Sequence, residues 1–113
     1  MIIFIQARFN SKRLPGKVLK KIEGKTILGW IIHRLSQLNF NIPVAILTSN
    51  EKSDDPIVEF CISENIHFYR GDLNNVASRF LNAAIYFNEK ENIKSIFGGL
   101  FSILVGFYII TVL

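Results

Sequence analysis

Between positions 7 and 17 the chain reads Ala7-Arg8-Phe9-Asn10-Ser11-Lys12-Arg13-Leu14-Pro15-Gly16-Lys17. Arg8, Arg13 and Lys17 carry fixed positive charge. Ser11 and the loop's N–H groups can donate hydrogen bonds, and the small residues Ala7 and Gly16 let a backbone come close to an anion. Guanidinium forks, a point-charge ammonium and main-chain donors form the mixture that a triphosphate requires. The same composition also suits a basic loop that only meets water, and composition alone does not separate the two.

Charge places the anion site in the same region. The 113 residues have a net charge of +4, but residues 1–40 hold eight basic residues against Glu23. Residues 41–94 hold five basic and eight acidic residues, and residues 95–113 hold none of either. The positive charge is therefore concentrated between Arg8 and Lys25, where an anionic partner is expected. A nucleotide phosphate, a membrane surface and a nucleic acid all carry the required charge. Nucleic acid is disfavoured, because one short loop is basic and Phe9 is its sole aromatic.

A second phosphate signature is a decoy. Gly24-Lys25-Thr26 matches the end of G-x-x-x-x-G-K-[ST], but that pattern needs glycine at position 19, where the chain has Leu19. The segment also does not follow the first strand directly. It reads as a turn before a helix.

The elements that must hold the first loop follow from apolar periodicity. Residues 2–6 (Ile-Ile-Phe-Ile-Gln) are a short run, apolar up to its last residue, as in a strand buried on both faces. Thr26 can cap a helix running to about Leu38, with Ile27, Trp30, Ile31, Leu35 and Leu38 on its inner face. Pro43 to Thr48 is a second strand. Asp54-Asp55-Pro56 starts a helix with an acidic cap and a proline in the first turn. That helix carries Ile57, Val58, Cys61 and Ile62 and ends near Asn65. Ile66 to Tyr69 is a third strand, Arg70-Gly71-Asp72 turns the chain, and residues 74–88 form a helix with Val76, Phe80, Ala83, Ala84 and Phe87 inward. This alternation predicts an α/β fold with a parallel sheet, whose ligands bind beyond the carboxyl ends of the strands. The loops at 7–17, 48–54 and 70–74 all leave that edge.

Half of the residues are apolar, which gives the chain a core-forming composition. Its length allows one domain. One cysteine excludes an internal disulfide, and with two histidines it excludes a Cys- or His-rich metal cage. Cys61 and Trp30 read as core, His33 as surface and His67 as a structural strand residue. Met1-Ile2-Ile3-Phe4-Ile5 is apolar at once and has no basic leader, so a cytoplasmic location is expected.

Gln6-Ala7-Arg8, Ser11, Arg13-Leu14-Pro15-Gly16-Lys17 and Gly24-Lys25 together resemble the opening of the sugar cytidylyltransferases, among them the acylneuraminate and 3-deoxy-manno-octulosonate enzymes. The nearest resemblance is to the branch named for spore coat polysaccharide biosynthesis. It continues through Thr48-Ser49, Asp54-Asp55-Pro56-Ile57-Val58 and Tyr69-Arg70-Gly71-Asp72, then a helix with Val76 and Arg79-Phe80. The resemblance implies a Rossmann-like parallel sheet of the nucleotide-sugar transferase type, truncated, with residues 1–94 its N-terminal nucleotide-binding part. It implies CTP and a sugar as substrates, CMP transfer with release of pyrophosphate, and Mg²⁺ on the phosphates. Ala7, Arg8, Ser11, Arg13 and Lys17 would contact the nucleotide, with Arg13 and Lys17 the catalytic candidates. Asp72 is the candidate metal ligand, with a plain helix cap as its competing reading. The family often has acidic residues where this chain has Asn74 and Asn75.

The family pattern continues into a Gly-Asp-x-Pro turn whose Asp binds metal. That turn has no counterpart here, and no acidic residue follows Glu91. The expectation is that this chain alone does not turn over CTP. Residues 95–113 form an uncharged apolar tail with three readings: a disrupted segment, a membrane anchor preceded by Lys90 and Lys94, or a buried strand. About 20 apolar residues suffice to cross a bilayer as a helix. The alternative function is thus a non-catalytic, membrane-tethered module that binds nucleotides or other anions. The sequence leaves the sugar, the base preference and the oligomeric state open, a homodimer included.

Overall fold

The computed structural model describes residues 2–10, 16–38, 42–90, 101–105 and 108–112. Its central strand is β1 (Ile3–Gln6). Ile3, Ile5 and Ala7 pack into one apolar cluster, while Ile2 and Phe4 pack into another on the opposite face. A strand alternates its side chains between two faces, so an unbroken apolar run is one that both faces must bury. β4 (Val44–Ser49) does the same, sending Ile46 to the first cluster and Ala45 and Leu47 to the second.

α1 (Ile27–Ser36) and α2 (Asp55–Ser63) cover the first face, through Leu28, Ile57 and Cys61. α3 (Val76–Lys90) covers the other with Ala83 and Phe87. The Phe87 ring lies 5.9 Å from that of Phe4. The result is three layers, helix on sheet on helix. The helix starting at Thr26 is as expected, and its cap is explicit: Gly29 N–H donates to Thr26 Oγ1 at 2.9 Å. Several inward assignments are not. Leu28 is the buried centre of α1, Leu38 lies past the helix end in solvent, and Ile62 and Val76 are also exposed. The other inward residues of α1 and α3, among them Ile27, Ile31, Leu35, Phe80 and Ala84, pack against the two clusters as expected.

Trp30 is also not core. It is partly exposed, and its indole N–H donates to the Ile22 carbonyl at 2.7 Å. It thereby braces a small hairpin, β2 (Lys21–Ile22) and β3 (Lys25–Thr26), that turns at Glu23 and Gly24. Both turn residues have positive φ, 50° and 86°, as a two-residue hairpin of this hand requires. The Gly-Lys-Thr decoy is therefore a turn before a helix. His67 is exposed with its ring edge-on to Phe87, and His33 is partly exposed beside Trp30.

The main sheet has the order β5-β4-β1-β7-β6, with β5 (His67–Gly71), β6 (Phe101–Val105) and β7 (Tyr108–Val112). β1, β4 and β5 are parallel, with Ile5 opposite Ile46 and Leu47 opposite Tyr69. β7 runs antiparallel to β1, and β6 pairs with β7. The sheet is parallel from β1 through β4 to β5, as expected, and is extended on the other side of β1 by an antiparallel pair. The reason is local: two segments rich in β-branched and aromatic residues, FSILV and YIITV, follow each other closely and pair as a hairpin. Of the three readings of the tail, its described residues 101–105 and 108–112 are strand rather than membrane helix. No helix among the described residues is long and apolar enough to cross a membrane.

The chain steps outward from β1 through β4 to β5, then returns by α3 to the far side of β1. β1 is therefore where the winding reverses. Ligands of open α/β sheets sit at such a reversal, outside the carboxyl ends of the strands.

Candidate functional site

The loop of positive charge leaves β1 at this reversal. Ala7 is buried, and its N–H donates to the Leu47 carbonyl at 3.0 Å, prolonging the β1–β4 ladder by one bond. The neck of the loop is closed farther on, where Gly16 N–H donates to the Phe9 carbonyl at 2.8 Å. Gly16 has φ +75°, and a Cβ there would lie 3.0 Å from the Phe9 ring. Glycine is thus required at position 16 by its backbone and by the ring above it. Lys17 follows at once, opening a 3-10 turn (Lys17–Leu19) whose Val18 is buried in the α1–α2 cluster. Arg8 and Lys17 flank the closed neck in the chain.

Asp54 anchors the neck from across the sheet. It was expected to cap α2, yet its side chain makes no cap bond. It is instead fully buried and aimed at the β1 loop. Its Oδ1 accepts the Phe9 N–H at 2.8 Å. Its Oδ2 accepts the Ser49 hydroxyl, and Arg8 Nε lies 3.7 Å from the same oxygen. Ser49 Oγ in turn accepts the Glu51 N–H at 3.1 Å. The loop that carries Asp54 is fastened by Arg70 of β5. Arg70 donates to the Ser49 and Glu51 carbonyls, each at 2.8 Å, and pairs with Asp55 at 2.8 Å.

Arg79 of α3 works from the other face of the sheet. Its side chain is 1% exposed. Nη1 donates to Gln6 Oε1 at 2.5 Å, while Nε and Nη2 donate to the Asp72 carbonyl at 3.1 and 2.7 Å and Nη2 also reaches the Leu73 carbonyl at 3.0 Å. Burial pulls its pKa below the usual arginine value, and the nearby Arg8 charge pulls the same way; Asp54 and Asp72 oppose them. A guanidinium nevertheless stays charged. Because Gln6 turns its oxygen to Arg79, its Nε2 is left buried with no partner among the described residues, as is Thr48 Oγ1 at the end of β4. Unpaired buried polar atoms at a strand terminus mark unused hydrogen-bonding capacity.

The residues expected to bind nucleotide are only partly described. Ala7, Arg8 and Lys17 lie at or beside the neck; Ser11 and Arg13 fall outside the described residues. Asp72 is exposed, and its Oδ1 accepts the Asn74 and Asn75 N–H groups at 2.7 and 3.1 Å. Those bonds hold its pKa below the ordinary carboxylate range. Asn75 then caps α3, with Ser78 N–H donating to its Oδ1 at 3.0 Å. The two asparagines that depart from the family's acidic pattern thus belong to a helix start. Among the described residues no three His, Cys, Asp or Glu side chains come together to hold a metal ion. Asp54 has both oxygens occupied and Asp55 is paired with Arg70. No Mg²⁺ cage is thus built by the described residues alone.

Asp54 and Arg79 as anchors were not legible from motif chemistry. The Asp-Asp-Pro signal explained Asp54 as a cap, and Arg79 carried no signal beyond its place in the resemblance.

The family profile described as Cytidylyltransferase matches residues 2–98. Spore coat polysaccharide biosynthesis protein SpsF of Bacillus subtilis (strain 168) is 34% identical over 85 residues, covering 72% of this chain and 35% of SpsF. A 3-deoxy-manno-octulosonate cytidylyltransferase of Psychrobacter sp. (strain PRwf-1) is 44% identical over 50 residues, which are 44% of this chain and 18% of that protein. The solved structure of a cytidylyltransferase from Leptospira borgpetersenii serovar Hardjo-bovis (strain JB197) matches with a TM-score of 0.69 at 38% identity, over 77% of this chain and 36% of that one. The chain spans about a third of the length of the first curated relatives it matches. The profile runs through β1, its basic loop and all three helices, and this chain belongs to the cytidylyltransferase family.

Proposed function

We propose that this chain supplies the CTP-binding part of a sugar nucleotidyltransferase, one that forms a CMP-sugar and releases pyrophosphate in surface polysaccharide biosynthesis. The observation that carries this reading is the place of the basic loop. It leaves the carboxyl end of β1 where the winding reverses, with its neck closed between Phe9 and Gly16 and Arg8 held beside it.

In this reading Arg8, Ser11, Arg13 and Lys17 cradle the triphosphate. Ala7 has committed its N–H to Leu47, so its carbonyl is the group left for the base or ribose. Arg13 and Lys17 stabilise the negative charge that builds on the departing pyrophosphate. Mg²⁺ would arrive with the nucleotide rather than occupy a cage built by the described residues. The sugar site and full turnover need groups that are not among the described residues, so CTP binding is the step these residues carry in this reading.

Calorimetry with CTP tests the reading. Affinity should fall as salt rises, and Arg13→Ala should cost about 1.5–3 kcal/mol, the scale of hydrogen bonds to charged groups. Equal CTP binding by the wild type and Arg13→Ala would refute it.

A further inference from the structure

Asp54 is an anomaly in an anion site. It is a fully buried carboxylate facing a loop whose other charges are positive, and Coulomb's law makes it unfavourable to a bound phosphate. Its contacts point to a compensating role. Both oxygens have fixed donors, the Phe9 N–H on Oδ1 and the Ser49 hydroxyl on Oδ2. The pairing with Arg8 has a different character. At 3.7 Å from Nε it is an open ion pair, and the Arg8 side chain is 42% exposed. Arg70 of β5 and Asp55 at the start of α2, by contrast, close to 2.8 Å. A pair kept for its own stability would draw up to such a contact. The open pair instead restrains the base of the guanidinium and leaves its fork to meet something else.

We propose that Asp54 is a positioning residue of the anion loop: it fixes the Phe9 backbone and aims Arg8, so that removing its negative charge weakens polyphosphate binding rather than strengthening it. The proposal rests on the CTP-binding reading above. The sign of the effect is its signature. If Asp54 acted only through its charge, neutralising it would tighten anion binding. If it were only structural, loss of binding would follow loss of fold and would not depend on Arg8.

The test is a double-mutant cycle on the full chain, with Asp54→Asn and Arg8→Ala, titrated with tripolyphosphate and with CTP while thermal melting is followed. Asparagine keeps the shape and an acceptor for Phe9 but gives up the charge. Asp54→Asn should lower tripolyphosphate affinity about tenfold, the scale of one charge-assisted contact. In the Arg8→Ala background the same substitution should change it less than about twofold, because the effect passes through Arg8. If Asp54→Asn does not fold, Ser49→Ala removes one donor from Oδ2 and should show the same dependence on Arg8 with a smaller loss. Tighter or unchanged binding by a folded Asp54→Asn, or additive losses in the cycle, would overturn the proposal. CTP held more tightly than tripolyphosphate with an additive cycle removes this proposal and spares the nucleotide reading. A coupled cycle without preference for CTP supports this proposal and removes that reading. Wild type that binds neither anion overturns both.

Discussion

Gly71 lies directly beneath Arg79: a Cβ at position 71 would stand 2.7 Å from Arg79 Cγ and 3.2 Å from its Cβ. The last residue of β5 is thus glycine because a buried arginine stem crosses over it. Gly71→Ala should push that stem aside and destabilise the chain by about 1–3 kcal/mol, the usual cost of overpacking. A chemical denaturation series checks this; an unchanged midpoint would mean that the α3 start shifts freely.

Arg79→Met tests the guanidinium itself. The stem's volume is largely kept, but Gln6 Oε1 and the Asp72 and Leu73 carbonyls lose their donor. The expected loss is about 2–4 kcal/mol, as for other buried polar groups stripped of a charged partner. Arg79→Lys should recover only part of it, since one ammonium cannot reach both Gln6 and the turn.

Asp72 makes acid stability depend on the start of α3. Its carboxylate is favoured in the folded chain by the Asn74 and Asn75 N–H groups, so its pKa is lower folded than unfolded. Stability from this residue is present above about pH 4, the unfolded carboxylate value, and is lost as pH falls through the lower folded value. Melting temperatures of wild type and Asp72→Ala should therefore differ at neutral pH and converge in acid. A constant gap down to the acid limit would contradict the assignment.

Cys61 is fully buried against the sheet, and burial pushes its thiol up to about 12. The thiolate is the reactive form. Alkylation at about pH 8, near where a free thiol ionises, should proceed only as fast as the chain opens, and denaturant should accelerate it sharply. Rapid labelling of the folded protein would place Cys61 outside the core.

The framework was legible wherever one local rule decided the outcome. Ile2 through Ile5 had to be buried on both faces because they leave no polar side to either, and Thr26 had to cap because a helix N-terminus needs an acceptor there. What escaped the sequence depends on partners far along the chain. Asp54 followed by Asp55-Pro56 satisfies every rule for a helix start, and only the arrival of Phe9 and Ser49 reveals that its carboxylate faces the other way. Trp30 looked apolar by type, but its indole N–H needed the Ile22 carbonyl, and that need keeps it at the surface. The tail stayed open between readings for the opposite reason: an uncharged run suits a membrane helix and a strand pair equally, and β1 had an edge to pair.

The two anchors of the β1 exit reach it from distant parts of the chain. Phe9 and Asp54 are 45 residues apart, and Gln6 and Arg79 are 73 apart, from helical layers on opposite faces of the sheet. Contacts of such separation are slow to form, because the intervening chain must close first. The anion site is thus a product of late folding. A nucleotide that recognises it should leave the refolding rate nearly unchanged and slow unfolding instead, lengthening the lifetime of the native chain.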